Sequence, residues 1–353
     1  MKNFKNILFV RTDRIGDVVL TTPTVKILRE AYPQASISIL VSPLTSDLVQ
    51  GNPYLNEVIV DDRAKTHKGL LGFWRLVNLL RRRKFDLAII FHTKKRTNLL
   101  CALAGIPYRT GYRNDKFGFL LTHPIVDTRH LGEKHEVEYC LDVLRSLEIP
   151  VDKFFKDYDL FVPIKKESES WLKEFLLKNN ISDQDILIAI HPAASDPAKQ
   201  WPSKRFAELI DSLIERYHAK IVLVGTSSTQ PIVKEILNLT QASSNLIFDL
   251  SGLTTVSQLV SLLKRGNLLV SNDSGPVHIA AALGTPVVSI FTRNQPGINP
   301  ERWKPLGSKS RVVCVPPNPK TSFKKAQPLS SEYSQLIQTQ EVLEAVDSIF
   351  KLC

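Results

Sequence analysis

Residues 268–291, LLVSNDSGPVHIAAALGTPVVSIF, decide how the chain is to be read. Leu268 to Val270 is a short apolar run of the kind that forms a buried strand, and Asn272, Asp273, Ser274 and Gly275 break it with residues that tolerate tight turns and cap helices. Pro276 suits a first helical turn, His278 to Leu283 continue a helix, Gly284 ends it, and Val287 to Phe291 form a second β-rich run. A strand-helix-strand unit of this length is parallel and right-handed. Its turn then lies at the carboxyl edge of the sheet, where open α/β folds bind ligands. Freed backbone N–H groups, the Ser274 hydroxyl and a glycine that permits close approach give the turn the form of an anion cradle, suited to a phosphate-bearing ligand. An Asp-Ser pair that only caps a helix would read the same way, so the rest of the chain must decide.

A length of 353 residues exceeds the size at which single cores stop growing, so two domains of about 150 to 180 residues are expected. Hydrophobic content of 43% and charged content of 23% fit a folded globular chain. The formal charge of +11 is uneven, with roughly +8 falling in residues 1–165 and roughly +3 beyond. A basic first half would attract nucleic acid, anionic lipid or a phosphorylated acceptor, and charge alone does not choose among them. No nucleic-acid recognition module accompanies it, so nucleic acid is not expected as a partner. Cys101, Cys140, Cys314 and Cys353 are too far apart for a C-x-x-C motif and read as ordinary thiols. The N-terminal apolar run is too short for a secretory signal, and no segment approaches the eighteen or so apolar residues of a membrane span. The expected compartment is the cytoplasm.

Strands are expected near residues 6–11, 36–41, 57–60, 86–91 and 109–112, alternating with helices that open at Asp17 and cover 68–83, 98–104 and 133–147. After a connector at 150–163 the alternation resumes, with helices at 166–178, 204–217, 231–239 and 256–264 and strands at 186–191, 220–225 and 246–249. A last helix, 339–350, is left without an adjacent strand. The pattern predicts an α/β fold of two Rossmann-like, doubly wound parallel-sheet domains facing a cleft. Neither a G-x-G-x-x-G fingerprint nor a Walker A loop occurs, so nicotinamide and flavin chemistry are disfavoured and no cofactor is expected.

Two such domains with a phosphate cradle in the second suggest a nucleotide-sugar glycosyltransferase of the GT-B architecture. The opening ILFVRTDRIGDVVLTTP (7–23), the loop HPAASDPAKQWP (191–202), the run SNDSGPVHIAAALGTPVV (271–288) and the later ERWKPLG (301–307) then resemble, in this order and spacing, the ADP-heptose:lipopolysaccharide heptosyltransferases, glycosyltransferase family 9. The resemblance spans nearly the whole chain. It implies inverting, metal-independent transfer of a heptose from ADP-heptose to the inner core of lipopolysaccharide. It also implies an acceptor-binding domain over 1–163, a nucleotide-sugar-binding domain over 164–335, and a terminal helix in 336–353 that returns to pack on the first domain. The acceptor would be a lipid-anchored acidic core oligosaccharide, with peripheral contact at the inner face of the inner membrane left open. A related glycosyltransferase using another nucleotide-sugar, and a GT-B-like nucleotide-sugar epimerase, stand as alternatives.

Inverting transfer needs a base for the acceptor hydroxyl, and Asp17 matches the family's proposed catalytic aspartate; a helix-capping Asp is the structural alternative. The charge growing on the departing diphosphate must be met by fixed cations and N–H groups, and Lys199 matches the family lysine that contacts the donor phosphate. Asp17 and Lys199 are therefore the expected catalytic pair. In the donor-binding segment, Ser274 and Gly275 are assigned to the diphosphate, His278 to the same pocket, and Asp273 to the helix start or to a sugar hydroxyl. Ala193 and Ala194 occupy donor-loop positions where some relatives carry hydroxyls. Thr229, in the stretch Thr226 to Gln230, is the ribose candidate where the family often has a glutamate, and FTRNQPGINP (291–300) departs from the commoner threonine-aspartate-proline form. Arg11, Arg14, Lys94, Lys95, Arg96, Arg109 and Arg113 fall at or beyond strand ends, suiting an acidic acceptor, with a solvated basic rim as the alternative for each. The helix GLLGFWRLVNLLRRRK (69–84) mixes apolar and basic residues, which suits either membrane contact or a helix that covers a sheet.

Overall fold

The computed structural model describes residues 2–154, 158–317 and 333–351. The chain divides into two units, residues 1–129 with 134–163 and residues 130–133 with 164–353, so the short stretch His130–Glu133 belongs with the second.

The first unit runs β1 (Asn6–Val10), α1 (Ile15–Ala31), β2 (Ser36–Val41), β3 (Glu57–Val60), α2 (Gly69–Arg83), β4 (Leu87–Ile90), α3 (Lys95–Leu103), β5 (Tyr108–Arg113), β6 (His123–Val126), α4 (Glu136–Arg145) and α5 (Val151–Phe154). The second runs α6 (Lys166–Lys178), β7 (Leu187–His191), α7 (Ser203–Tyr217), β8 (Lys220–Leu223), α8 (Gln230–Leu239), β9 (Ile247–Asp249), α9 (Val256–Arg265), β10 (Leu268–Asn272), α10 (Gly275–Leu283), β11 (Val287–Phe291), α11 (Pro300–Trp303), β12 (Ser310–Cys314) and α12 (Thr339–Phe350). The sheets have the orders β3-β2-β1-β4-β5-β6 and β12-β11-β10-β7-β8-β9, parallel throughout. Each is the Rossmann order, with its strand sequence reversing between β1 and β4 in one and between β7 and β10 in the other. Those two switch points are where such sheets receive ligands.

Sequence makes the central strands central. Ile7, Leu8, Phe9 and Val10 in β1, and Leu268, Leu269 and Val270 in β10, are all 0% exposed. Such runs need helices on both faces, and each large apolar side chain so buried contributes roughly 1.5–3 kcal/mol. Gly284 stops α10 in the left-handed conformation, φ 74°, that glycine adopts without steric cost.

Two strands were invisible in the sequence, and both lie at sheet edges. β6 is HPIV, largely exposed and containing the proline an edge strand tolerates, and β12 is SRVVC, in which only Val313 is buried. The terminal helix, which the resemblance places on the first domain, has its contacts in the second unit. Helix α12 packs against β11, β12 and α7 of the second unit. Val342, Leu343, Val346 and Ile349 form its buried stripe within that unit's core. Bonds from Arg216 and Tyr217 to Asp347, and from Thr339 Oγ1 to Glu208 Oε2 at 2.7 Å, fix it there. The helix covers β12, the strand the periodicity did not reveal.

Candidate active site

In the first unit, chemistry-bearing side chains gather where β1 ends. Arg11 is only 1% exposed, and its Nη2 donates to Asp17 Oδ1 at 2.7 Å and to Glu136 Oε1 at 3.0 Å. Its Nε donates to the Asp17 carbonyl at 3.1 Å and lies 3.2 Å from Asp13 Oδ1. One guanidinium therefore holds three carboxylates, Asp13 from the β1–α1 turn, Asp17 from the first turn of α1 and Glu136 from the start of α4. The cluster is unbalanced: three carboxylates share one cation, and Asp13 Oδ1 is buried without a hydrogen-bond partner. Burial, reinforced by the charge of Asp13 and opposed by Arg11, pushes the Asp17 carboxyl up to about 7. Burial raises Asp13 as well. A carboxyl group of that acidity exchanges its proton near neutral pH, which a general base requires. Asp17 is not a helix cap, because the N-cap position of α1 is Arg14 and no side chain caps it.

The basic residues around this turn divide into two groups. Arg14, Lys94, Lys95 and Arg113 are exposed at or beyond the ends of β1, β4 and β5. Arg11, Arg96 and Arg109 are committed internally, which corrects their expected place on an acceptor surface. Arg11 is buried as the partner of Asp17. Arg96 grips Asp61 with Nε and Nη2 at 3.0 and 2.8 Å, and Arg63 reaches the same carboxylate at 2.9 Å. Although burial opposes it, hydrogen bonds from Arg96 and Arg63 hold Asp61 below the usual carboxylate range. Arg109 donates to the carbonyls of Leu120 and Ile106.

In the second unit the corresponding place is the end of β7 and β10. Ser274 is the N-cap of α10 by position, with φ −154° and ψ 168°, yet its side chain accepts no helix N–H. Its Oγ instead lies 2.8 Å from Ser271 Oγ and 3.1 Å from His191 Nδ1. Pro276 has no N–H and Val277 N donates to the Ser274 carbonyl at 3.3 Å, so the Gly275 N–H is left without a side-chain cap at the positive end of the helix dipole. Burial pushes His191 down to about 4, so its ring is neutral at physiological pH.

Asn272, 0% exposed, braces the neighbouring loop at both ends. Its Nδ2 donates to the Pro192 carbonyl at 2.6 Å and its Oδ1 accepts from Trp201 N at 3.0 Å. Trp201 in turn donates from Nε1 to the Ile337 carbonyl at 3.0 Å and packs edge-on against Phe206. Within the loop, Lys199 N donates to the Asp196 carbonyl at 2.8 Å, and the Lys199 ammonium pairs with Asp273. Ala193, Ala194, Lys199, Asp273, Ser274 and Gly275 therefore meet at one switch point, with His278 buried one turn along α10. Among the described residues, no group of three or more His, Cys, Asp or Glu side chains could hold a metal ion, and no helix is long and apolar enough to cross a membrane.

Residues 73–332 match the family model described as glycosyltransferase family 9 (heptosyltransferase). The chain belongs to glycosyltransferase family 9. Lipopolysaccharide heptosyltransferase 2 of Escherichia coli K12 is 28% identical over 316 residues, 87% of each chain. The solved family 9 glycosyl transferase of Veillonella parvula has a TM-score of 0.87 at 24% identity, covering 99% of this chain and 98% of that one. The E. coli ADP-heptose lipopolysaccharide heptosyltransferase II has a TM-score of 0.77 at 24% identity, covering 98% of both. The fold is the two-unit GT-B fold of the family, and the chain is a glycosyltransferase.

As a family 9 member, the chain differs from the sequence reading at one further donor position. Thr229 is 2% exposed and its Oγ1 accepts from Thr226 N at 3.2 Å, so its hydroxyl closes the loop on itself; Thr226, Ser227 and Ser228 are the exposed hydroxyls there. Glu136 and His191 are not among the residues the sequence singles out, and Asn272 reads there only as a turn residue. Glu136 comes from a helix distant in sequence, and nothing in its surroundings marks it. His191 did leave a signal, as the one polar residue closing the apolar strand LIAIH, and Asn272 follows Ser271 at the polar end of β10.

Proposed function

We propose that this family 9 glycosyltransferase transfers a heptose from ADP-heptose to the inner core of lipopolysaccharide, with inversion and without a metal ion. The observation that carries the reading is the division of charge between the two switch points: a carboxylate poised near neutrality after β1, and an uncapped helix start with an adjacent lysine after β10. In this reading Asp17 takes the proton of an acceptor hydroxyl while the hydroxyl oxygen attacks the anomeric carbon from the face opposite the nucleotide. The bond from that carbon to the diphosphate oxygen breaks, and ADP leaves with the electron pair. Lys199 and the N–H groups at Ser274 and Gly275 stabilise the charge on ADP, strongest in the transition state. Arg11 and Glu136 position Asp17. Thr226, Ser227 and Ser228 face the ribose, and His278 supports the pocket wall.

Arg14, Lys94, Lys95 and Arg113 are the proposed contacts of a lipid-anchored acidic core acceptor. Peripheral membrane contact through α2, at a cytoplasmic membrane face, is part of the same proposal. It draws on Leu70 and Leu71, 80% and 79% exposed, which stand beside Trp74 and several basic residues on a helix whose other face, with Phe73, Leu76 and Leu80, is buried. Binding to anionic-lipid vesicles should fall when Leu70 and Leu71 are both changed to Asp, with turnover on a soluble acceptor unchanged.

The deciding experiment supplies purified ADP-heptose with defined truncated core acceptors and follows ADP release and the glycosylated product. Release that depends on the acceptor is expected. Donor conversion without any acceptor would instead indicate an epimerase, and inertness toward ADP-heptose alongside turnover of another nucleotide-sugar would replace the donor.

A further inference from the structure

The stretch 291–300, FTRNQPGINP, departs from the family's commoner form and begins at the end of β11. Arg293 stands two residues beyond the end of β11, and 9% of its side chain is exposed. Its Nη1 lies 2.8 Å from Asp196 Oδ2, while its Nε is buried without a hydrogen-bond partner. Asp196 belongs to the loop after β7 that also carries Lys199. In the sheet, β10 lies between β11 and β7. A side chain that begins after β11 and ends on the loop after β7 must therefore meet that loop over the carboxyl end of β10, where Asp273, Ser274 and Gly275 form the turn. Two cation–carboxylate pairs close over this turn, Lys199 with Asp273 and Arg293 with Asp196.

A buried guanidinium N–H with no acceptor is costly, and proteins rarely leave one without a reason. Asp196 is 43% exposed and takes only part of the fork. An arginine's planar set of N–H donors matches phosphate oxygens, and its charge is permanent. We propose that Arg293 is a second cationic contact for the donor's β-phosphate, held in place by Asp196 until the diphosphate arrives and takes over the guanidinium. The inference rests on the donor reading above and deepens it, because two fixed cations would then share the charge of the leaving ADP. Asp196 acts as a competing anion, so its removal should help the ligand.

The test is titration calorimetry of the full chain with ADP and with AMP, on the native protein, Arg293→Ala, Arg293→Lys and Asp196→Asn, with thermal unfolding of each. Arg293→Ala should weaken ADP by about 10- to 100-fold, the range for one lost charge-assisted hydrogen bond, and weaken AMP by less than about threefold. Arg293→Lys should recover part of the loss. Asp196→Asn should tighten ADP about threefold or more even if it lowers the melting temperature. If the pair is only structural, Arg293→Ala and Asp196→Asn will weaken ADP and AMP alike in step with their melting temperatures, and the proposal fails. An unchanged preference for ADP over AMP in Arg293→Ala, with ADP still bound, also overturns it while leaving the donor reading intact. A native protein that binds neither nucleotide overturns both.

Discussion

The two switch points of this molecule are built on one topology and treat charge in opposite ways. After β1, a single buried arginine is surrounded by Asp13, Asp17 and Glu136, and burial, reinforced by the excess of carboxylates over the one cation, leaves Asp17 with a pKa near neutrality. After β7 and β10, each cation has one carboxylate and the helix start has no side-chain cap, so positive potential is left for a ligand. The strand order fixes where a site lies. The balance of charges at the strand end decides whether that site accepts a proton or an anion.

Asp17→Asn is the substitution expected to break the first half of this contrast. It should lower turnover by about 10² to 10⁴ while leaving ADP affinity within about threefold, since it removes a base and no donor contact. Turnover that survives would move the base elsewhere, with Asp13 as the next to replace. On the other side, Lys199→Ala should lower kcat by about 10² to 10³ and raise the donor KM by less, with Lys199→Arg recovering only part. Steady-state kinetics with the donor varied at saturating acceptor separates these outcomes; an unchanged kcat with a large rise in KM would make Lys199 a ground-state binder.

Arg11 sharpens the comparison from the side of stability. Replacing it by Met leaves Asp13, Asp17 and Glu136 facing one another without their cation, and the loss should be about 3–5 kcal/mol in urea unfolding at pH 7. That loss should shrink toward pH 5 as the carboxyls take up protons; an equal loss at both pH values would mean that packing, not charge, was removed. The smallest effect expected is that of chelation. EDTA should leave turnover unchanged, and activity lost to EDTA and restored by Mg²⁺ or Mn²⁺ would show that fixed cations do not suffice.

Much of this was readable from the chain because central parallel strands are continuous apolar runs and the turns beyond them carry polar residues. The stretch from Leu268 to Phe291 therefore announced its strand, turn and helix, and the phosphate cradle with them. The edge strands β6 and β12 are largely solvent-facing, so they left no such run, and the placement of the terminal helix rested on the family resemblance instead. At the site, residue type and position along a strand end were legible; partnership was not. Arg11 and Arg96 read as surface cations because nothing in one dimension shows that Glu136 and Asp61 fold against them. Thr229 looked available for the same reason, its hydroxyl being taken by the backbone of Thr226.

The central claim, that the buried carboxylate cluster after β1 supplies the base, is tested most directly by the pH dependence of kcat/KM. Asp17 holds its proton below its raised pKa and is competent only when it has lost it, so activity should rise with pH and level off above about 7. The residual activity of Asp17→Asn should lack that limb. A native profile that is flat from roughly pH 5.5 to 8.5, or a limb near 7 that persists in Asp17→Asn, would contradict the assignment.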